Sequence, residues 1–451
     1  NMTTNIEFKQ KPLPYPQFFI LMCVRFIEPV GFTILFPFVY FMVKDFNLTK
    51  DENMIGFYAG FISSSFAVAE FFSGVPWGIL SDRIGRKPVI MMGLVGNCIT
   101  MLMFGMSKNI YWAILSRFAC GILNGNIGVL KSMIGEMSDR TNRAEAFGYA
   151  SLMFGIGSIF GPIIGGFLSN PVKNYPNIFG GNEFLAYYPY FLPCAFASVL
   201  CFLGVIFVHI YLEETLTSLK TKLKNDEVDN ENEAPLLNES NSNSNYSSIG
   251  EDLESNGIKE DQNISITTWY VILANIGLSL MTVILEELFP FWAATKIMKG
   301  GLSFTTYQIG IVLSFAGVVL MVFQLLIFPS LQRKVGTLKL FQLTYIVYGP
   351  ILLLLPFVNY FASNGYTHML WVALFVIFGI RSCCGCIAFT AYNILLPESC
   401  PNKNILGKVN GISQALGSLM RGVGPSICGI FYSWSLSNST FPFDYHFTFI
   451  I

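Results

Sequence analysis

Apolar residues run through this chain in long blocks, separated by short polar turns. A bilayer-crossing helix needs roughly 20 apolar residues. Blocks of that order lie near 17–43, 54–80, 89–106, 110–133, 146–169 and 187–212. A second set lies near 266–292, 306–329, 338–361, 367–393 and 408–434, and a twelfth block begins at about 441. Between the sets the pattern reverses. Residues 213–265 hold 13 Asp and Glu against 4 Lys and are rich in Asn and Ser. Such a stretch cannot bury enough apolar surface to fold alone, which predicts a disordered linker.

The expected fold is an all-α membrane protein in three parts. Residues 1–212 form an N-terminal six-helix half. Residues 213–265 form an acidic cytoplasmic linker. Residues 266–451 form a C-terminal half holding spans seven to eleven and the start of span twelve. The chain opens on Asn and closes inside an apolar run, so helix twelve reads as truncated.

Composition agrees. Of 451 residues, 53% are hydrophobic and 12% charged, where an ordinary soluble domain carries about 25% charge. A net charge of −1 with no basic tract argues against a nucleic-acid partner. The ten Cys follow no disulfide or zinc spacing. The first apolar block is too long for a cleavable signal. The implied partners are the lipid bilayer, a small-molecule solute and protons, with the chain acting as a monomer.

Lys and Arg in the loops set the orientation. With the N-terminus inside, 16 fall on the cytoplasmic side and 6 opposite. Asn47 and Asn438 then lie in sequons on the far side, as glycosylation candidates.

The two sets repeat each other. Leu35-Phe36-Pro37-Phe38 recurs as Leu288-Phe289-Pro290-Phe291, and Asp82-Arg83-Ile84-Gly85 as Arg333-Lys334-Val335-Gly336. Arg117 has a mate in Arg381, and Gly161-Pro162 one in Gly424-Pro425. Duplicated six-helix halves are the architecture of rocking transporters, with the solute site between the halves at mid-membrane.

The loop after span two reads Gly78-Ile-Leu-Ser-Asp82-Arg83-Ile-Gly85-Arg86-Lys87-Pro88. Pro88 suits the start of a helix, and Asp82 can sit against a helix N-terminus. Arg86 can meet Glu136 or Asp139 at the inner end of span four. The expected role is a polar latch that gates the inner side. Span five carries Gly148, Gly157, Gly161-Pro162 and Gly165-Gly166, a spacing that lets helix backbones approach closely.

The loop resembles the signature of the major facilitator superfamily, and the span-five pattern resembles the antiporter signature of its proton-driven exporters. Trp77-Gly78, Asp82-Arg83-Ile84-Gly85-Arg86-Lys87 and Arg25-Phe-Ile-Glu28-Pro29 are similar to the zinc-induced-facilitator-like group of plants and its fungal relatives. Gly148 departs from that group's Ser, and its Cys-Pro-Gly-Cys element has no clear counterpart. The resemblance implies proton-coupled movement of metal chelators or small organic ions.

Charges inside spans are costly and read as functional. Arg25 and Glu28 are three apart and can pair. Glu286 and Glu287 precede Pro290 and suit proton carriers. Arg117 stands where the resemblance implies a coupling cation, with Arg381 its mate and Arg421 in span eleven. Cys383, Cys384 and Cys386 cannot converge on one ion from an unbroken helix, so no metal or other cofactor is expected. Glu231-Asn-Glu233-Ala-Pro235-Leu236-Leu237 resembles an acidic dileucine signal and suggests a vacuolar or endolysosomal membrane, with the plasma membrane as the alternative.

The function expected is alternating-access exchange of a small organic solute or metal chelate for protons. A sugar-type uniporter or symporter and a transport-dead sensor stay open. An enzyme is not expected, since the spans show no nucleophile–base pair or metal cluster.

Overall fold

The computed structural model describes residues 13–49, 51–138, 142–216, 264–400, 406–438 and 440–450. Most of the linker, 217–263, and Asp139 lie outside these residues. Among the described residues, nine helices are long and apolar enough to cross a membrane.

The expected spans are helical, and several are interrupted. Span one comprises α1 (Tyr15–Thr33) and α2 (Val39–Asp45), parted by turns over Leu35-Phe36-Pro37-Phe38. Pro37 has no amide hydrogen to continue the ladder. Spans two and three are α3 (Ile55–Ile84) and α4 (Arg86–Gly105). Span four divides into α5 (Ile110–Leu123) and α6 (Asn126–Met137), a break at Asn124-Gly125 that the apolar pattern did not predict. Span five is α7 (Arg143–Leu168) and span six is α8 (Phe191–Tyr211).

In the second half, span seven is α9 (Ile266–Ala294) and span eight begins as α10 (Thr306–Val322). Span eight then widens to a π-turn over Phe323–Ile327 and ends as α11 (Phe328–Val335). Spans nine, ten and eleven are α12 (Thr337–Leu354), α13 (Thr367–Ser399) and α14 (Leu406–Leu436). The expected twelfth helix starts later than the apolar run suggested. Residues 441–446 form bends and turns, and helix begins at Phe447.

The repeat survives in backbone detail. Gly85 joins α3 to α4 with φ +103°, and its mate Gly336 joins α11 to α12 with φ +87°. Both turns need a left-handed residue, which glycine adopts without strain.

Among the described residues, the halves share one core at one end of the bundle and not at the other. There Leu35, Phe38 and Tyr40 pack with Leu288, Phe291, Trp292 and Tyr432. Thr295 Oγ1 lies 2.8 Å from the Tyr432 hydroxyl. At the tip Glu52 bridges Lys296 at 2.9 Å and Lys44 at 3.3 Å, and Lys299 Nζ donates to Asn53 at 2.7 Å. At the opposite end the cores are separate. Phe18, Leu21, Val89 and Met133 belong to a first-half cluster, and Ile272, Phe341, Ala391 and Val409 to a second-half one. The halves are thus joined at the end bearing Glu52 and carry separate cores at the end bearing Arg86.

Candidate functional site

Two seams join the halves, and glycine builds both. On the first, α3 meets α14. An added Cβ on Gly60 would lie 2.4 Å from the Pro425 carbonyl oxygen, and one on Gly429 would lie 2.5 Å from that of Gly56. Ser426 backs this seam, its N–H and hydroxyl meeting Ser64 Oγ at 3.0 and 2.8 Å. On the second, α7 meets α10. An added Cβ on Gly166 would stand 2.7 Å from the Gly310 Cα. Backbones this close exclude any side chain and leave a smooth surface.

The rest of the span-five pattern serves a different contact. Gly157, Gly161 and Gly165 face α1, where a Cβ would meet Phe26 O, Thr33 Oγ1 and Ile34 O at 2.3 Å or less. Pro162 lies inside α7. Gly148 faces open space and has no such packing reason.

Between the seams lie the in-span charges. Arg117 is 0% exposed. Its guanidinium rests over Phe66 at 4.7 Å and Phe104 at 5.5 Å, and its Nη1 lies 3.5 Å from the Gly31 carbonyl. Its Nε and Nη2 have no hydrogen-bond partner. Glu287, from the other half, is 1% exposed and lies within electrostatic range of Arg117, with Oε2 likewise unpartnered. Arg25 and Glu28 form the expected pair at 2.6 Å, with Arg25 above the Phe154 ring. Arg421 donates to Ser418 at 2.8 Å. Arg381 lies over Phe378 and is only partly buried, unlike its mate Arg117. Glu286 lies within electrostatic range of both Arg381 and Arg421.

Sequence reasoning missed two further residues. Glu70 on α3 lies within electrostatic range of Glu28, Arg421 and Arg117, and accepts a hydrogen bond from Asn124 Nδ2 at 2.9 Å. Lys131 on α6 lies within range of Arg25, Arg421 and Glu28. Both are charges inside apolar blocks, so the rule that singled out Arg117 also applies to them. Charged groups from α1, α3, α5, α6, α9 and α14 are therefore linked by electrostatic range.

This chain matches the family description Major Facilitator Superfamily over residues 21–425. The chain belongs to the major facilitator superfamily. It is 32% identical to the Aspergillus fumigatus major facilitator superfamily multidrug transporter mfsB, over 94% of this chain and 79% of the relative. It is equally 32% identical to the Arabidopsis thaliana protein ZINC INDUCED FACILITATOR-LIKE 1, over 94% of this chain and 86% of the relative. The fold resembles the crystal structure of a D-xylose–proton symporter with a TM-score of 0.64 at 13% identity, covering 97% of this chain and 96% of that one.

In this superfamily member the signature loop is tied to its own half and to the first residues after it. Arg86, 8% exposed, pairs with Asp82 at 2.6 Å and with Glu136 at 3.0 Å, and donates to Ser81. The position expected for Asp82 at a helix N-terminus belongs to Glu214. Its carboxylate accepts from the N–H groups of Arg86 and Lys87 at 2.9 and 3.1 Å, where the helix dipole favours an anion. Asp82 is instead held by the guanidinium one turn on. Thr215 closes the cluster by donating to Glu136 at 2.5 Å. Glu214 was hidden in the sequence because it sits 128 positions from Arg86. Arg83 and Lys87 flank the turn, and Lys87 Nζ donates to the His209 carbonyl at 2.9 Å.

α13 runs unbroken through Cys383, Cys384 and Cys386. Consecutive thiols on such a helix point about 100° apart.

Proposed function

We propose that this chain works by alternating access, exchanging protons for a small organic solute or metal chelate, which it exports or sequesters in a vacuolar or endolysosomal compartment. The observation that supports the coupling is the burial of Arg117 and Glu287 within electrostatic range of each other. Each comes from a different half, each is nearly inaccessible, and each keeps unpartnered polar atoms. Burying ionisable groups without full satisfaction is expensive. A coupling carboxyl that gains and loses a proton beside a fixed cation gives that expense a use. Glu286, Glu28, Arg25, Arg381 and Arg421 complete the polar zone that the solute and protons would cross.

The arrangement of the halves supports the same reading. Residues 1–212 and 266–451 act as the moving halves, joined by the cytoplasmic segment 213–265, with the N-terminus inside. The end bearing Glu52 is then the outer end, and the structure stands closed there. The Arg86 cluster stiffens the inner end of the first half and serves as the gating element. Asp139 and the dileucine signal lie outside the described residues. The relatives named as a multidrug transporter and as a zinc-induced facilitator favour a small exported solute over a sugar.

The test uses the full chain in acid-inside vesicles with an internal pH dye. Zinc chelates, iron chelates and small organic cations are added in turn outside. Solute-triggered proton loss that disappears in Arg117→Ala is the expected result. Labelled solute crossing while the dye stays silent would make the protein a uniporter.

A further inference from the structure

We infer that Glu70 is a proton-carrying carboxyl of the exchange, and that Asn124 at the break in span four holds its proton. The inference rests on the proton-coupled reading above and adds a second carboxyl to it.

One face of α3 grips the break. Glu70, Ser73 and Trp77 stand three and then four residues apart, so they lie in a row. The end of α5 leaves carbonyls without helical donors, as any helix terminus does. Ser73 Oγ donates to the Gly121 carbonyl at 3.1 Å, and Trp77 Nε1 donates to that of Ile122 at 2.6 Å. Asn124 Nδ2 donates to Glu70 Oε1 at 2.9 Å. The fit is close: an added Cβ on Gly125 would lie 2.0 Å from the Trp77 ring, and one on Gly121 would lie 2.2 Å from the Phe66 carbonyl.

The remaining atom of this constellation is Asn124 Oδ1. It belongs to a residue 4% exposed and accepts no hydrogen bond. An ionised Glu70 is an acceptor only and cannot serve it. A protonated Glu70 can, from its second oxygen. The result is an acid–amide pair with two hydrogen bonds, one donated by Asn124 and one by Glu70. The proton comes from solvent and returns to solvent, and no other bond changes. Buried acceptors are nearly always satisfied, so the joined arrangement seen here is the one in which Glu70 holds its proton.

The groups that face Glu70 are Glu28 from α1, Arg117 from α5 and Arg421 from α14, with Lys131 of α6 beside Glu28 and Arg421. Only Arg421 belongs to the other half. Rocking the halves changes its distance to Glu70 while the first-half charges stay in place. α3 also carries the seam against Pro425 and Ser426. The proton site, the helix break and one inter-half seam therefore share one helix.

The test is infrared difference spectroscopy of the full chain in vesicles, titrated across neutral pH, with wild type, Glu70→Gln and Asn124→Leu compared. The expected wild-type spectrum contains a titrating protonated-carboxyl band that is absent in Glu70→Gln. In Asn124→Leu that band should persist at a shifted frequency, because its hydrogen-bond partner is gone; a merely structural role for Asn124 would leave the frequency unmoved. An unchanged carboxyl titration in Glu70→Gln would overturn the proton assignment. An unshifted band in Asn124→Leu would overturn the acid–amide pairing. The pH dye separates this from the parent reading: a silent wild-type dye beside a titrating Glu70 band would refute exchange and leave the proton site standing.

Discussion

Gly60 of α3 lies against Pro425 of α14, so close that a Cβ added to the glycine would stand 2.4 Å from the proline's carbonyl oxygen. On the second seam Gly310 of α10 lies against Pro162 of α7, the repeat mate of Pro425, with the corresponding distance 3.4 Å. Each inter-half seam thus pairs a glycine of one half with a proline-bearing helix of the other, related by the internal duplication.

Gly60→Ala should therefore disturb the seam although alanine favours helix. The backbone oxygen cannot move aside, and overpacking of this kind costs about 1–3 kcal/mol. A lower melting temperature in detergent is expected, together with slower transport. Gly148→Ala is the control, since a Cβ there meets nothing within 4 Å. Equal melting temperatures for the two variants would show that the seam tolerates a methyl group.

Arg117→Lys should fail to replace arginine in coupling. The guanidinium lies over two aromatic rings, at 4.7 and 5.5 Å. A lysine ammonium is a strongly hydrated point charge that does not stack in this way. Solute-triggered proton movement is expected to fall at least tenfold, as in Arg117→Ala. Wild-type coupling in Arg117→Lys would mean that charge alone suffices.

Glu214→Ala should destabilise the end of the first half that bears Arg86 without touching the in-span charges. Two N–H groups at the start of α4 lose their acceptor, which costs about 1 kcal/mol, the usual loss for a helix cap. Thermal unfolding reads that loss. Glu214→Gln keeps an oxygen acceptor and should retain part of the stability.

Glu52→Lys should open the joined end. It replaces two attractions, to Lys296 and Lys44, with repulsions. Exposed pairs contribute roughly 0.2–1 kcal/mol each, too little to unfold the protein but enough to move a balanced equilibrium severalfold. Distances between spin labels on residues 48 and 298 should lengthen in Glu52→Lys and recover in the Glu52→Lys, Lys296→Glu double variant. Unchanged distances would show that the aromatic core alone holds this end.

The helical character of the apolar blocks and the Arg25–Glu28 pair were legible in the sequence because each depends on local spacing. Twenty apolar residues make a span wherever they stand, and residues three apart share a helix face. The same local rule would have found Glu70 and Lys131. The breaks at Leu35–Phe38 and Asn124-Gly125 were less legible, since each lies within a block long and apolar enough to read as one span.

The sequence by itself determined an all-helical, duplicated membrane protein with charges buried in its spans, because hydrophobic length and helical period act within each segment. Only the tertiary structure decided which charges meet. Glu214 reaches the start of α4 across 128 positions, Arg117 comes within electrostatic range of Glu287 of the other half, and Asn124 turns to Glu70 because Trp77 and Ser73 hold the end of α5. These contacts depend on how helices pack against one another, which no single helix encodes.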